Sequence, residues 1–286
     1  MAAHTPEKVP VAAGATVFEN IKPIALDASR WQTVTGIKST TSFPDPQTGN
    51  IVSRVAATTR DDGILYIGTR LKVVGRKIAE VETSFNERAL SGVEAANVVT
   101  YDPLFDTIVP AQKRMTRAAL ERIVLSNFEA LGTKKPDPAE YDMRCDRFSS
   151  GNRVTHRGGG GRGMPPGGRN PGAAPGTLPA AAAPEAIPGP GRAGRSLVDN
   201  EEAGGNGDKG CLESIQGNPP WLHAIESRVP VVDPERGIAI GYTLLLYPGD
   251  RVMLISEVFK VLDGRFRLID YIGIVDTGVK TTGFGK

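Results

Sequence analysis

Residue types that often carry chemistry are scarce in this sequence. Among 286 residues there are two cysteines and three histidines. Neither cysteine belongs to a CxxC pair, which argues against the common zinc and redox motifs. No apolar run approaches the roughly 18 residues that span a bilayer, and residues 1–10 lack the apolar segment of a signal peptide. The sequence therefore predicts no metal and no membrane partner. It leaves the compartment open, with secretion expected if the true N-terminus lies upstream.

Strong net charge and nucleotide-binding motifs are also missing. The formal net charge of +2 gives no field that would attract nucleic acid. No phosphate-binding loop, nucleophile elbow, HExxH motif or Rossmann glycine pattern is present. Residues 156–163 resemble an Arg-Gly-rich RNA-binding segment, but they lack interleaved aromatic residues and are better explained as a neutral linker. We therefore expect no cofactor and no nucleic-acid partner.

Glycine and proline, with 34 and 22 residues in the chain, are concentrated in residues 151–210. Few side chains of this stretch are able to join a core, so burial does not offset the entropy that ordering would cost. Because the cost of closing a loop grows slowly with its length, such a segment is tolerated between two strands. We predict a long disordered Gly/Pro-rich insert at residues 151–210.

Outside the insert, the sequence predicts both strands and helices, which is an α+β pattern. Apolar residues at helical spacing predict a helix at residues 115–131, and Gly132 follows as a stop. Residues 220–226 are predicted as a helical turn. Alternating apolar residues between turn residues predict strands at residues 31–37, 51–59, 64–74, 78–85, 229–232, 238–247, 252–262 and 266–275.

A shift of 188 residues aligns the two groups of strands without a gap. The matches include Asp45-Pro46 with Asp233-Pro234, Gly49 with Gly237, and Lys72-Val73 with Lys260-Val261. Asp-Pro followed by Gly predicts a hairpin turn in each group. Matches at turns and strands alike indicate an internal duplication. A curved sheet wrapped around a helix would give each unit a cavity at its open end.

Several segments occur in a characteristic order: residues 28–33 (ASRWQT), 145–148 (CDRF), 228–233 (RVPVVD) and 257–261 (EVFKV), with Cys211 as a second cysteine. With these segments the chain resembles the nuclear transport factor 2-like (SnoaL-like) superfamily and, within it, the fungal domain-of-unknown-function 8021 (DUF8021) family. No single segment is specific, and their order carries the resemblance. It covers residues 11–276 except the insert.

The resemblance implies two cone-shaped α+β units in tandem, each a curved antiparallel sheet packed on helices. The first unit, residues 10–90, is expected to be truncated, because the helix that precedes the first strand in the family is mostly missing. Residues 91–113 form a connector. The second unit, residues 114–280, contains the insert.

The resemblance also implies functions from two classes. One is a cofactor-free dehydratase, isomerase or cyclase that acts on a small apolar secondary metabolite in the second cone by acid–base chemistry. The other is a non-catalytic module that binds a small molecule, or forms a homo-oligomer through a sheet face. The lack of a clear His–Asp pair in the sequence favours the second, so enzyme activity stays an open question here.

Candidate acids, bases and charge partners follow from the same resemblance. They are Asp146, His223, Arg228, Tyr242 and Asp270, with Glu257 and Tyr271 as further cavity-lining residues. Such groups act when burial and neighbouring charges bring their pKa near the working pH. His223 has a plain structural alternative, which is packing at the edge of a domain.

Asp270 lies on a strand whose apolar residues 266, 268 and 272 would share its face. Its carboxylate either lines a cavity or pairs with Lys260 or Lys72 on the adjacent strand. The equivalent residue at the shift of 188, Glu82, is also acidic, which favours a structural role in both units.

The two cysteines, Cys145 and Cys211, flank the insert. In a secreted protein, as the family resemblance implies, they would form a disulfide that closes a long loop and adds roughly 4 kcal/mol of stability. In a cytosolic protein they would be two free buried thiols. The sequence leaves both interpretations open.

Overall fold

The structure, a computed structural model, describes residues 8–60, 63–156, 209–219, 221–249 and 251–277. These residues form two six-stranded mixed sheets with few helices. The predicted α+β class is therefore confirmed. We call the first sheet and the helix after it unit 1, and the second sheet with its two helices unit 2.

Unit 1 begins with a sheet whose first and last strands are neighbours. Its strands are β1 (Val11–Glu19), β2 (Lys22–Pro23), β3 (Val34–Asp45), β4 (Asn50–Thr59), β5 (Ile64–Val74) and β6 (Lys77–Phe85). Their order is β2-β1-β6-β5-β4-β3. The pairing of β1 with β6 is parallel, whereas the other pairings are antiparallel.

Unit 2 repeats this sheet strand for strand. Its strands are β7 (Tyr141–Ser149), β8 (Asn152–Arg153), β9 (Ala224–Asp233), β10 (Ile238–Tyr247), β11 (Arg251–Leu262) and β12 (Arg265–Thr277). Their order is β8-β7-β12-β11-β10-β9. Here β7 pairs parallel with β12, and the other pairings are antiparallel.

The repeat extends to the register of the strands. The β5–β6 pairing shifts between Lys72 and Val73, and the β11–β12 pairing shifts between Lys260 and Val261, which are 188 residues further along. The first two strands of each unit instead repeat at a shift of 130, as the parallel pairings show. The difference between the two shifts falls between β8 and β9, where the insert lies.

The hairpin turns after β3 and β9 are also equivalent. Asp45 and Asp233 each accept hydrogen bonds from the backbone N–H groups two and three residues later. Gly49 and Gly237 follow with φ of 69° and 61°. A Cβ added at Gly237 would lie 2.4 Å from the carbonyl oxygen of Val261. Glycine is therefore required here for its conformation and for the close approach of β11.

Within the described ranges, three α-helices accompany the sheets: α1 (Gly92–Thr100), α2 (Arg117–Thr133) and α3 (Cys211–Gln216). The helix predicted at residues 115–131 is α2, and it starts later because the Thr116 hydroxyl caps it by accepting from the N–H of Ala119. Helix α1 lies in the segment that was predicted as a connector. The helical turn predicted at residues 220–226 is wrong, since β9 already begins at Ala224.

The two ends of the predicted insert, residues 151–156 and 209–210, are ordered. Residues 157–208 lie outside the described residues, whereas its ends belong to unit 2. Asn152–Arg153 form β8 beside β7, and the N–H of His156 donates to the carbonyl oxygen of Lys209 at 2.9 Å. Hydrogen bonds of this kind hold residues 151–156 and 209–210 against the sheet.

The two sheets pack face to face, and we call the layer between them the interlayer. Its apolar side chains include Phe43 and Val52 from sheet 1, and Ile240, Leu254 and Val258 from sheet 2. Helices α2 and α3 cover the other face of sheet 2, the sheet of unit 2. We call the layer between this sheet and the two helices the interior. Its apolar side chains include Leu120, Phe128, Ile215, Phe259 and Phe266. None of the described helices is long and apolar enough to cross a membrane.

Candidate functional site

Asp270 lies in the interlayer rather than in the interior of unit 2. Its carboxylate accepts a hydrogen bond from the hydroxyl of Tyr66 at 2.5 Å, and Nε of Arg54 lies 3.4 Å away. Both partners belong to unit 1. Burial raises the pKa of Asp270, whereas Arg54 acts to lower it. The residue that led the candidates thus joins the two units.

Two expectations about Asp270 are wrong. The register of β12 shifts between Phe266 and Leu268, so Phe266 faces the interior while Leu268 faces the interlayer with Asp270. An extra residue in a strand reverses the alternation that follows it. The expected pairing with Lys260 is also absent, because Nζ of Lys260 donates to the carbonyl oxygens of Thr107 and Arg236.

Arg228 and Tyr242 come together in the interlayer with Glu82. The guanidinium of Arg228 donates to both carboxylate oxygens of Glu82, at 2.6 and 2.7 Å. It also lies 4.7 Å from the centre of the Tyr242 ring, a cation–π arrangement. Tyr242 and Glu82 are buried. This cluster, like that of Asp270, connects unit 1 to unit 2.

Asp146 and His223 join neither the Asp270 cluster nor the Glu82 cluster. Asp146 Oδ1 is 2.9 Å from Nε of Arg153 and 3.0 Å from Nδ1 of His156. His156 is half-buried and forms with Asp146 a His–Asp pair that the sequence did not reveal. His223 is exposed, and its carbonyl oxygen accepts a hydrogen bond from the N–H of Leu246, which fits packing at an edge.

The polar groups inside unit 2 are centred on Glu257 and Arg147, which are 0% and 3% exposed. Nη2 of Arg147 donates to Oε1 of Glu257 at 3.0 Å, and Nη1 donates to Oγ of Ser214 on α3 at 3.3 Å. The guanidinium also lies 4.3 Å from the centre of the Tyr271 ring. An ion pair is thus enclosed in an apolar core.

Asn127 of α2 connects Glu257 to Tyr141. The hydroxyl of Tyr141 donates to Oδ1 of Asn127 at 2.8 Å. This bond turns the amide nitrogen of Asn127 toward Oε2 of Glu257, 3.5 Å away. The surrounding walls are aromatic and include Phe128, Phe259 and Phe266. A few polar groups that converge within apolar walls are typical of small-molecule sites.

Burial raises the pKa of Glu257, and the guanidinium of Arg147 acts against this rise. Burial likewise raises the pKa of the Tyr141 hydroxyl. A carboxyl group with a raised pKa exchanges protons nearer to neutral pH than an exposed glutamate does. Within the described residues, no group of three or more His, Cys, Asp or Glu side chains is arranged to hold a metal ion.

Unit 1 does not carry the same polar groups at its equivalent positions. The equivalent pairs are Glu257 and Thr69, Arg147 and Val17, Tyr271 and Thr83, and Tyr141 and Val11. The same six-stranded sheet therefore forms without an ion pair at these positions. Because burying two charges carries a desolvation cost, the Glu257–Arg147 pair is an added feature of unit 2 rather than a requirement of its sheet.

Cys145 and Cys211 form a disulfide with their Cα atoms 5.6 Å apart, and neither thiol is free. The bond joins β7 to α3 and is buried. Cys145 precedes Arg147 by two residues on the same face of β7, and Cys211 precedes Ser214 by one helical turn. The disulfide thereby fixes α3 over the interior pair.

One family model, described as "Domain of unknown function (DUF8021)", matches residues 113–273. The chain belongs to this family. The DUF8021 match starts just before α2 and ends within β12, so it contains every polar group of the interior, while the sheet of unit 1 lies outside it. Neither a curated protein nor a solved structure matches the chain.

The interior residues that sequence reasoning missed include Arg147, Asn127 and Tyr141. Asn127 carried a signal, because it is a polar residue within the apolar stripe of α2. Arg147 carried a weaker one, since it shares the face of Cys145 by strand alternation. Tyr141 opens a strand that was not predicted, so the sequence offered no signal for it. Glu257 and Tyr271 were named only as lesser candidates.

Proposed function

We propose that unit 2 is a cofactor-free acid–base site that moves a proton on a small apolar carbonyl compound, as an isomerase, dehydratase or cyclase of secondary metabolism does. The observation that carries this proposal is the Glu257–Arg147 pair, enclosed in an apolar interior in unit 2 and replaced by Thr69 and Val17 in unit 1. We also propose that each unit is a nuclear transport factor 2-like cone. The repeated sheet order and the packing of α2 on sheet 2 support this assignment.

Of these reactions, isomerisation fits one carboxylate beside one cation best. Glu257 removes a proton from the carbon next to the carbonyl group and returns it to a different carbon. The negative charge that develops meanwhile on the carbonyl oxygen is stabilised by the N–H groups of Arg147. Excluding water strengthens this interaction. Asn127, held by Tyr141, orients the second oxygen of Glu257.

The test combines a thermal-shift screen of small metabolites with NMR of C–H exchange in deuterated water. For a compound that raises the melting temperature, native protein should catalyse the exchange, and Glu257→Gln should slow it roughly 100-fold while still binding. Asp270→Asn, a matched change in the interlayer, should stay close to the native rate. Equal rates for Glu257→Gln and native protein would remove Glu257 from this role.

A second candidate function, self-association, is favoured by the open face of the unit 1 sheet. Seven apolar residues on this face are half-buried: Val11, Val17, Ile51, Leu71, Val73, Ile78 and Val81. Their equivalents in unit 2 are all buried, several of them under α2. Apolar patches of this kind mark interaction surfaces. We propose a second copy of the chain as the occupant, because sheets of this fold already pack face to face in the interlayer.

Analytical ultracentrifugation over a range of concentrations tests self-association. Native protein should sediment as a dimer, and Leu71→Glu, which places a charge in the open face, should sediment as a monomer. Val74→Glu is the matched control, since Val74 lies at the end of the same strand and is already 58% exposed. A native protein that stays monomeric at every concentration rules out this function.

A further inference from the structure

Two helices, α2 and α3, close the Glu257–Arg147 pair to solvent, and they bury very different numbers of side chains. Glu257 and Arg147 are at most 3% exposed, so a ligand reaches them only when a covering element moves. Helix α2 buries seven side chains along its 17 residues. Helix α3 has six residues and buries two side chains, Cys211 and Ile215. The smaller buried surface makes α3 the cover that costs less to displace.

Helix α3 is attached firmly at one end. Cys211, its first residue, is bonded to Cys145 of β7. Beyond that point its hold on the interior includes Ile215 in the core, Leu212 packed partly buried against it, and the hydrogen bond that Ser214 accepts from Arg147. Glycine residues stand at both ends of the helix, with Gly210 before it and Gly217 after it. These positions permit the backbone to turn with little steric cost.

We propose that α3 is the gate of the interior site, and that it swings about the Cys145–Cys211 disulfide. Displacement of its C-terminal end breaks the Ser214–Arg147 hydrogen bond and withdraws Ile215, which opens a path to Arg147 and then to Glu257. The disulfide keeps the helix attached during this motion, so that it closes again over a bound molecule. This inference rests on the proposed function of the interior.

Hydrogen–deuterium exchange of the native, oxidised protein tests the gate without a ligand. The amides to follow are Ser214, which donates to Gly210, and Gly217, which donates to Glu213. They should exchange roughly tenfold or more faster than amides in the middle of α2. Exchange of α3 and α2 at the same rate would overturn the proposal, because both helices would then open together.

The double variant Cys145→Ser/Cys211→Ser tests the tether. Exchange in α3 should accelerate by a further tenfold or so while α2 and sheet 2 keep their protection. Unchanged exchange in α3 would show that the disulfide is not the pivot. Loss of protection throughout unit 2 would show that the disulfide stabilises the whole unit rather than α3 alone. Neither result depends on turnover, so a failed gate is distinguishable from a failed assignment of Glu257.

Discussion

Glu82 and Asp270 occupy equivalent positions in the two sheets, and each carboxylate is held by an arginine of the other unit. Arg228 of unit 2 donates to Glu82 at 2.6 Å, and Arg54 of unit 1 lies 3.4 Å from Asp270. The acidic character that the repeat preserved therefore serves the contact between the units. These two pairs hold the units together across the interlayer, whereas the proposed acid–base site lies in the interior.

Arg54→Met is expected to lower the free energy of unfolding by about 3–5 kcal/mol, because it leaves the Asp270 carboxylate buried beside an apolar side chain. Urea denaturation followed by circular dichroism measures the loss. The double variant Arg54→Met/Asp270→Asn should recover part of it, since no charge is then left unpaired. A double variant less stable than Arg54→Met alone would point to packing rather than charge as the cause.

Gly237→Ala is expected to cost more than about 2 kcal/mol of stability, because it forces a Cβ against the backbone of Val261 at a positive φ. Gly264→Ala is the control. Its φ is +76° but no heavy atom lies within 4 Å of the added Cβ, so it should cost about 1–2 kcal/mol, from the left-handed conformation alone. Equal losses in the two variants would mean that the contact with Val261 is relieved by a small shift of β11.

Stability is expected to fall as pH rises through the titration of Glu257. Burial raises the pKa of this carboxyl above its ordinary value of 4.5, so the folded state keeps a proton that the unfolded chain releases. The stability that this bound proton adds is fully present below the pKa of Glu257 in the unfolded chain. It is lost as pH rises through the pKa of Glu257 in the folded state. Melting temperatures between about pH 4 and pH 8 measure the slope. Glu257→Gln should flatten it, and an unaltered slope in that variant contradicts the assignment.

Lys260 is expected to give the opposite dependence at high pH. Burial, with the charge of Arg236, lowers the pKa of Lys260 to about 8 from an ordinary value of 10.5. Between these values the unfolded chain binds a proton that the folded chain lacks, so stability rises with pH across this window. Urea denaturation at intervals across it should show the rise in native protein and a smaller rise in Lys260→Met. A full rise in the variant would trace it to other groups.

The fold was largely predictable because the repeated turns and strands are each specified by a short segment of sequence. Gly49 and Gly237 mark equivalent turns, and the strands that follow them keep a constant shift. The strands β1 and β7 were missed. They repeat at a different shift from the rest, and β1 contains Gly14 in an alanine-rich run that shows little alternation.

The site was less predictable, for two physical reasons. The face of Asp270 depends on one extra residue in β12, and a single insertion reverses every side chain beyond it. The Glu257–Arg147 pair joins residues 110 positions apart, and strand alternation places each on a face without revealing the partner. Arg147 therefore became a candidate only when the parallel pairing of β7 with β12 was known.

The same parallel pairings fix an order of assembly during synthesis. Unit 1 has all six of its strands once Phe85 has been made, whereas β7 must wait for β12, from which it is separated by the insert and by four strands, β8 to β11. Closing a sheet through such distant segments is slow, and domains made first fold first. The finished sheet of unit 1 then offers a surface on which the strands of unit 2 assemble, and the interlayer contacts act as a template for the half of the chain that carries the ion pair.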